Sequence, residues 1–272
     1  MNESSRILLR LEFDGSSFCG WQLQASVDEN KRSSIQGEIE KALQTILRSP
    51  QRISVKGCGR TDAGVSACEY FCHFDVAEVP QDLEKFRHAL SSVLPMGISV
   101  LSAFEVSENF HAADSVLFKT YEYRILLRRA KPSFEAGRSW WIHGDLSGFD
   151  VEKLTAASQV FIGEHDFKAF AAANHQAATT IRKIDLIEVS QSAVSKDCLD
   201  SGIQIRLRFK ARGFLKQMVR NMVGALVEVA QGKNRSEDIA HLLASASDRK
   251  DAGFCAPPEG LYLMGVDYGR KF

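Results

Sequence analysis

The feature that most constrains this chain is a change of hydrophobic period that recurs along its length. "RILLRLEFD" (residues 6–14) mixes alternation with apolar residues and ends in the turn "DGS", as a strand does. After Ser34, residues Ile35, Ile39, Ala42, Leu43 and Ile46 recur at threes and fours. That spacing predicts an amphipathic helix with Ser34 as its N-cap and Pro50 as its stop. "RISVKG" and "ACEYFCHFDV" predict strands, "QDLEKFRHALSSVL" after Pro80 a helix, and "ISVLSAFEVS" a strand closing a first half near residue 105.

The second half has the same grammar. "TYEYRILLRR" is a strand and "DVEKLTAASQVFIG" a helix. "IRKIDLIEVSQS" and "GIQIRLRFKA" are strands joined by the linker "AVSKDCLD". "FLKQMVRNMVGALVEVAQG" (residues 214–232) is the longest helical pattern, residues 235–244 predict another helix, and "GLYLMGVDY" a last strand. Strands alternating with helices twice over predict two α+β or α/β units, residues 1–105 and 106–272, with no long linker between them. The 272 residues, 44% of them hydrophobic, suffice for a sizeable core.

Composition then narrows the function classes. Net charge is zero, with 34 basic and 34 acidic residues, which argues against a nucleic-acid binder that relies on bulk charge. The balance is local, however. No acid lies between Asp200 and Glu228, a window holding Arg206, Arg208, Lys210, Arg212, Lys216 and Arg220. The cysteines (Cys19, Cys58, Cys68, Cys72, Cys198, Cys255) form no CxxC pair. Cys68 and Cys72, four apart on a strand, are expected on one face, and all six read as ordinary buried thiols, with a redox or metal role as the lesser alternative. No 18-residue apolar run predicts a membrane span, and the N-terminus has no signal-peptide pattern, so a cytoplasmic protein is expected.

Chemistry concentrates in a few places. "CGRTDAGVSA" (residues 58–67) sets Arg60, Thr61 and Asp62 between Gly59 and Gly64. In extended backbone Arg60 and Asp62 share a face, and the arginine would keep the carboxylate ionised as a nucleophile or base. The plainer alternative is a turn-capping aspartate paired with Arg60, with Thr61 as a further turn cap. Tyr121 and Tyr123 share a strand face, either packing the sheet or offering a ring to a planar base. "GEHDFKAFAAANHQ" holds His165 and His175 without a third ligand at metal spacing; Asp166 is expected to cap a short helix with Phe167 and Phe170 in the core. In residues 208–224, Lys216 and Arg220 four apart on a helix would share one face, either solvated or contacting phosphates. P-loop, GxGxxG, GxSxG, HExxH and zinc-deaminase patterns are absent.

These blocks, taken in order, resemble the bacterial tRNA pseudouridine synthase A family over nearly the whole chain. "LEFDGSSFCGWQLQ", "SIQGEIEKAL", "GCGRTDAGVSA", "KTYEYRI", "HDFKAF", "TIRKI", "ARGFLKQMVRNMVG" and "APPEGLYL" carry the resemblance. It implies the α+β pseudouridine synthase fold, two lobes around a continuous mixed sheet with a cleft. It implies isomerisation of uridine to pseudouridine at positions 38, 39 and 40 of the tRNA anticodon stem-loop, by a homodimer, without cofactor or metal. By the same resemblance Asp62 is the essential aspartate, Arg60 its partner and Tyr121 the ring that stacks on uracil. Arg182 is an arginine near the active site, Leu263 borders the pocket, and Lys210, Arg212, Lys216 and Arg220 face the RNA or support the pocket. The chain departs from the family pattern at Ser66 (often histidine), Ala113 (usually arginine) and Arg212 (usually asparagine).

Other readings compete: a non-catalytic RNA binder on the same fold, a modifier of another RNA, or a two-lobed enzyme whose Arg60 holds a small phosphorylated substrate. The intact Arg-Thr-Asp loop with Tyr121 favours the tRNA enzyme.

Overall fold

The computed structural model describes residues 5–23, 32–194, 202–244, 247–270 and 272. Cys198 and most of the expected linker "AVSKDCLD" lie outside the described residues. The class is α+β, with a large mixed sheet, open rather than closed into a barrel, and five α-helices among the described residues. The chain divides into two compact units, Met1–Phe118 with Leu263–Phe272, and Lys119–Tyr262. The sequence pattern breaks near residue 105 and leaves the C-terminal strand with the second half. Its membership of the first unit is a long-range pairing that no local signal encodes.

The first unit runs β1 (Ser5–Phe13), α1 (Ile35–Ile46), β2 (Lys56–Gly57), β3 (Ser66–Val76), α2 (Leu83–Val93) and β4 (Ile98–Val106). β1 lies between β3 and β4, antiparallel to both, and β2 adds to β3. Consecutive Ile7, Leu8 and Leu9 are all 0% exposed, because a central strand is covered on both faces. α1 buries Ile35, Ile39 and Leu43; each such side chain contributes about 1.5–3 kcal/mol. Ser34 accepts from the Gly37 N–H at 3.1 Å, as the N-cap spacing predicts. The helix stops at Ile46, ahead of Pro50, and Arg48 then turns left-handed at φ 51°. α2 starts from its Asp82 cap and turns Phe86 and Leu90 inward.

One expectation about β3 is overturned. Cys68 is exposed and Cys72 is fully buried. The pairing shifts from Leu11–Tyr70 to Phe13–Ala67, so β3 carries one extra residue in that stretch. Such a bulge inverts the alternation between the two thiols.

The second unit runs β5 (Phe118–Arg128, counted from Lys119), β6 (Trp140–His143), α3 (Val151–Ser158), β7 (Gly163–Asp166), β8 (Ile181–Ala193), β9 (Ile203–Ala211), α4 (Met218–Ala230) and α5 (Ser236–Ala244). β10 (Leu261–Asp267) leaves this unit after Tyr262. β5, β9, β8 and β7 follow one another antiparallel, and β6 joins β5 in parallel. From Ile205 onward β9 alternates: Ile205, Leu207, Phe209 and Ala211 are 0% exposed, while Arg206 and Arg208 face solvent.

α4 begins four residues later than its apolar pattern predicts, at Met218 rather than Phe214. Gln217 is left-handed at φ 60°, and the Lys216 carbonyl accepts from the Ala172 N–H at 2.9 Å. Both features stop the helix from extending backward. Phe161, Phe167 and Phe170 form a buried aromatic cluster, and Asp166 caps the following turn through the Lys168 N–H at 3.0 Å.

Candidate active site

The loop between β2 and β3 carries Arg60 and Asp62. Its side chains and its backbone are treated differently. Arg60 is exposed and Asp62 half-buried, whereas Thr61 between them is 9% exposed. The backbone is held at successive points. The Tyr70 hydroxyl donates to the Gly59 carbonyl, and the Trp21 N–H donates to the Thr61 carbonyl at 3.2 Å. The Val65 N–H closes a turn on the Asp62 carbonyl at 3.2 Å, and Gly15 N–H donates to Ser66 Oγ at 3.0 Å. Gly20 permits the second of these contacts. It sits at φ +103°, and a Cβ there would come within 2.5 Å of the Thr61 carbonyl oxygen. Thr61 does not cap the turn as expected: its buried hydroxyl has no hydrogen-bond partner.

α1 supports this arrangement from below. Its first backbone donors, Ile35 N–H and Gln36 N–H, reach the Gly20 and Trp21 carbonyls at 3.1 and 3.0 Å. Buried Gln36 donates to the Val55 carbonyl at 3.0 Å and accepts from Leu23 N–H at 2.9 Å. Glu40, 3% exposed, accepts from Arg52 Nε at 2.7 Å and from Val55 N–H at 3.0 Å. A buried carboxylate is tolerated because these donors satisfy it.

The second unit holds the tyrosines and most of the basic candidates. Tyr121 pairs with Phe209 across β5 and β9, and its ring meets Phe214 edge-on at 5.1 Å. Tyr123, on the same strand face, is fully buried; its hydroxyl donates to the Pro257 carbonyl at 2.7 Å, and burial pushes its pKa well above the ordinary value. Tyr123 is therefore a packing residue, and Tyr121 the accessible one of the pair. On the other face Glu122 is 2% exposed and accepts from Arg124 Nε and Arg208 Nε, each at 2.8 Å. Burial pushes the Glu122 carboxyl up, but the hydrogen bonds and charges of the two arginines outweigh it and hold it below its ordinary value.

The basic candidates do not form one surface. Lys210 pairs with Thr120 in the register that sets Arg208 opposite Glu122, so it lies on the sheet face opposite Tyr121. Arg212 is exposed in the bend after β9. The expected shared helical face of Lys216 and Arg220 is absent, because Lys216 precedes α4. Its ammonium donates to Asn174 Oδ1 at 3.2 Å. Arg220 Nε donates to the Ala256 carbonyl at 2.7 Å, and Ala256 N–H returns to the Arg220 carbonyl at 3.1 Å. Arg182 donates to the carbonyls of Thr179 and Ile181 at 2.9 and 2.6 Å, and burial lowers its guanidinium pKa. Leu263 is 1% exposed, a core side chain of the first unit. Arg60, Asp62 and Leu263 thus belong to the first unit and the remaining candidates to the second.

Of the departures from the family pattern, Ser66 ties the loop to Gly15, and Ala113 N–H donates to His111 Nδ1 at 3.3 Å. Among the described residues no group of three or more His, Cys, Asp or Glu is placed to hold a metal ion, and no helix is long and apolar enough to cross a membrane. Sequence reasoning missed Trp21, Tyr70 and Glu122. For Glu122 a signal existed: an acid between two tyrosines on a strand, with an arginine two residues on and so on the same face.

The comparisons with known proteins bear on this geometry. A family model described as tRNA pseudouridine synthase matches residues 157–269. The tRNA pseudouridine synthase A of Nitrosomonas eutropha is 40% identical, over 98% of this chain and 89% of its own length. That of a Geobacter species is 38% identical over 96% and 98%, and that of Beijerinckia indica 40% over 98% and 95%. The chain belongs to the tRNA pseudouridine synthase A family. Matches of this extent run across the β2–β3 loop, β5 and α4.

Proposed function

We propose that this protein, an isomerase of the tRNA pseudouridine synthase type, converts uridine to pseudouridine at positions 38, 39 and 40 of the tRNA anticodon stem-loop, with Asp62 as its catalytic carboxylate. The reaction class rests on family membership. The assignment of Asp62 rests on one observation: its side chain is left partly accessible on a loop whose backbone is fastened at Gly59, Thr61 and Val65. Holding a reacting group in place ahead of the substrate lowers the entropic cost of reaching the transition state.

The reaction breaks the N1–C1′ bond, turns the uracil and rejoins it through C5, with the C5 hydrogen released as a proton and a proton taken up at N1. Asp62 acts either by adding to C1′ or C6, or by removing the C2′ proton. Arg60, two residues before it on the same loop, is assigned as its charged partner. Tyr121 is assigned the stacking role on uracil, and its accessibility beside buried Tyr123 supports this. The target base must leave the helical stack, at a cost of a few kcal/mol that backbone contacts offset. Arg212 and Lys216 are the proposed phosphate contacts, Lys210 being on the sheet face away from Tyr121, and shape-based reading of A-form RNA fits an enzyme serving three neighbouring positions. Action as a homodimer in the cytoplasm belongs to the same proposal.

The test is tritium release from transcripts carrying 5-tritiated uridine, for wild type and Asp62→Ala. The proposal expects release by wild type only, and its loss when uridines 38 to 40 are replaced. Release from Asp62→Ala at the wild-type rate would remove Asp62 from the reaction. Intact tRNA binding without release by wild type would favour the non-catalytic RNA binder.

A further inference from the structure

We propose that Tyr70 is a positioning residue for Asp62, acting through the Gly59 carbonyl that its hydroxyl holds. The inference rests on the assignment of Asp62 made above. Tyr70 lies on β3, eight residues beyond Asp62, and is 0% exposed. Its hydroxyl donates to the Gly59 carbonyl, at the start of the Arg-Thr-Asp run.

The ring is fixed on several sides. Trp21 packs against it with centroids 4.3 Å apart, and Phe13 at 5.3 Å. Beside the hydroxyl lies Gly57, where a Cβ would collide with the Tyr70 oxygen and come within 2.6 Å of Trp21 Cε2. The residue that clears space for the hydroxyl, the ring that braces it and the carbonyl that accepts its hydrogen bond are therefore all in place. Buried hydroxyls pair with whatever acceptor is nearest. Here that acceptor belongs to the loop carrying the proposed catalytic carboxylate.

Trp21 links the two fastenings. Its ring braces Tyr70, while its N–H holds the Thr61 carbonyl. The backbone is thus gripped at Gly59 and Thr61, immediately ahead of Asp62. Releasing the Gly59 grip leaves the loop one hydrogen bond short and lets the carboxylate sample other positions. The substituted side chain is itself fully buried.

Tyr70→Phe removes the hydroxyl and keeps the ring packing. Single-turnover tritium release at saturating enzyme should fall on the order of tenfold to a hundredfold, the effect expected when a reacting group is misplaced by about 1 Å. The tRNA dissociation constant should stay within about twofold of wild type, and the melting curve should remain a single transition whose midpoint falls by no more than the few degrees expected for one lost buried hydrogen bond. Hydrogen exchange at the amides of residues 59–65 should accelerate while β1 amides keep their protection. An unchanged release rate would overturn the proposal. So would a rate loss accompanied by an equal loss of tRNA affinity or by general loss of exchange protection, which would make Tyr70 a binding or purely structural residue. Asp62→Ala is run beside it. If Asp62→Ala is inactive and Tyr70→Phe is fully active, only the positioning role fails. If Asp62→Ala remains active, the assignment of Asp62 fails and the positioning role with it.

Discussion

The loop before β3 and the strand segment from Thr120 to Arg124 both present a candidate side chain, but they hold it by opposite means. The loop has no ladder of its own. It is gripped through its backbone by Trp21 and Tyr70, Gly15 holds the Ser66 side chain at its end, and glycines let those partners approach. The strand is held along its length by the β5–β9 ladder, with Glu122 between two arginines on one face and Tyr123 tied to Pro257 on the other. A ladder fixes every second side chain automatically. A loop fixes only those positions where a partner has been supplied. Fine adjustment of Asp62 is therefore concentrated in a few contacts, whereas that of Tyr121 is spread over a sheet.

This contrast can be tested by perturbing each side. The largest effect on stability is expected from Glu122→Ala, which strands two arginines, half-exposed Arg208 and better-covered Arg124. Breaking a buried pair costs about 3–5 kcal/mol, and the exposure of the arginines puts this case near or below the lower bound. Urea unfolding should show it as a shift of midpoint at an unchanged slope. Gly20→Ala comes next, at about 1–3 kcal/mol from the left-handed backbone, with additional displacement of the Thr61 carbonyl. Turnover should fall further than stability explains. If turnover simply tracks the folded fraction, the loop is less dependent on its grips than the comparison holds.

Acid should act on the two units at different pH. His73, 2% exposed in the first unit, accepts from the Ala112 N–H, which requires a neutral ring nitrogen. Burial, then the charges of Arg6 and His111, lower its pKa from 6.5 to about 4. Its unfolded form binds the proton first, so stability is lost as pH falls from 6.5 towards 4, by about 2 kcal/mol at pH 5. Glu122 in the second unit has a lowered pKa, so its contribution persists above about pH 4.3 and is lost only below it. Hydrogen exchange at pH 7 and pH 5 should show β3 amides loosening before those of β5. Equal loosening would break the distinction. The smallest effect is Tyr123→Phe, about 1–2 kcal/mol for one buried hydrogen bond to Pro257 with ring packing retained. Tritium release by this variant should match wild type once corrected for the folded fraction.

Much of the architecture was legible because it is written in local periods. The strand around Leu8, the Ser34 cap and the alternating β9 each depend on neighbours a few residues away, and the structure has them where the pattern puts them. Misreadings arose where one conformation interrupts a period without changing composition. Gln217 turns left-handed inside an apolar helical pattern, moving the start of α4 and separating Lys216 from Arg220. A single extra residue in β3 sends Cys68 and Cys72 to different environments.

The candidate site divides along the same line. Sequence alone determined the strand and helix periods, the glycine-framed Arg60–Thr61–Asp62 run and the alternation that gives Tyr121 and Tyr123 one face, because each is a property of adjacent residues. Tertiary structure decided which tyrosine stays accessible, that Thr61 makes no cap, that Arg220 serves a backbone carbonyl, and that Tyr70 and Trp21 grip the loop. Those outcomes depend on groups brought together from remote parts of the chain, where hydrogen-bond satisfaction and steric fit, rather than residue type, assign each side chain its task.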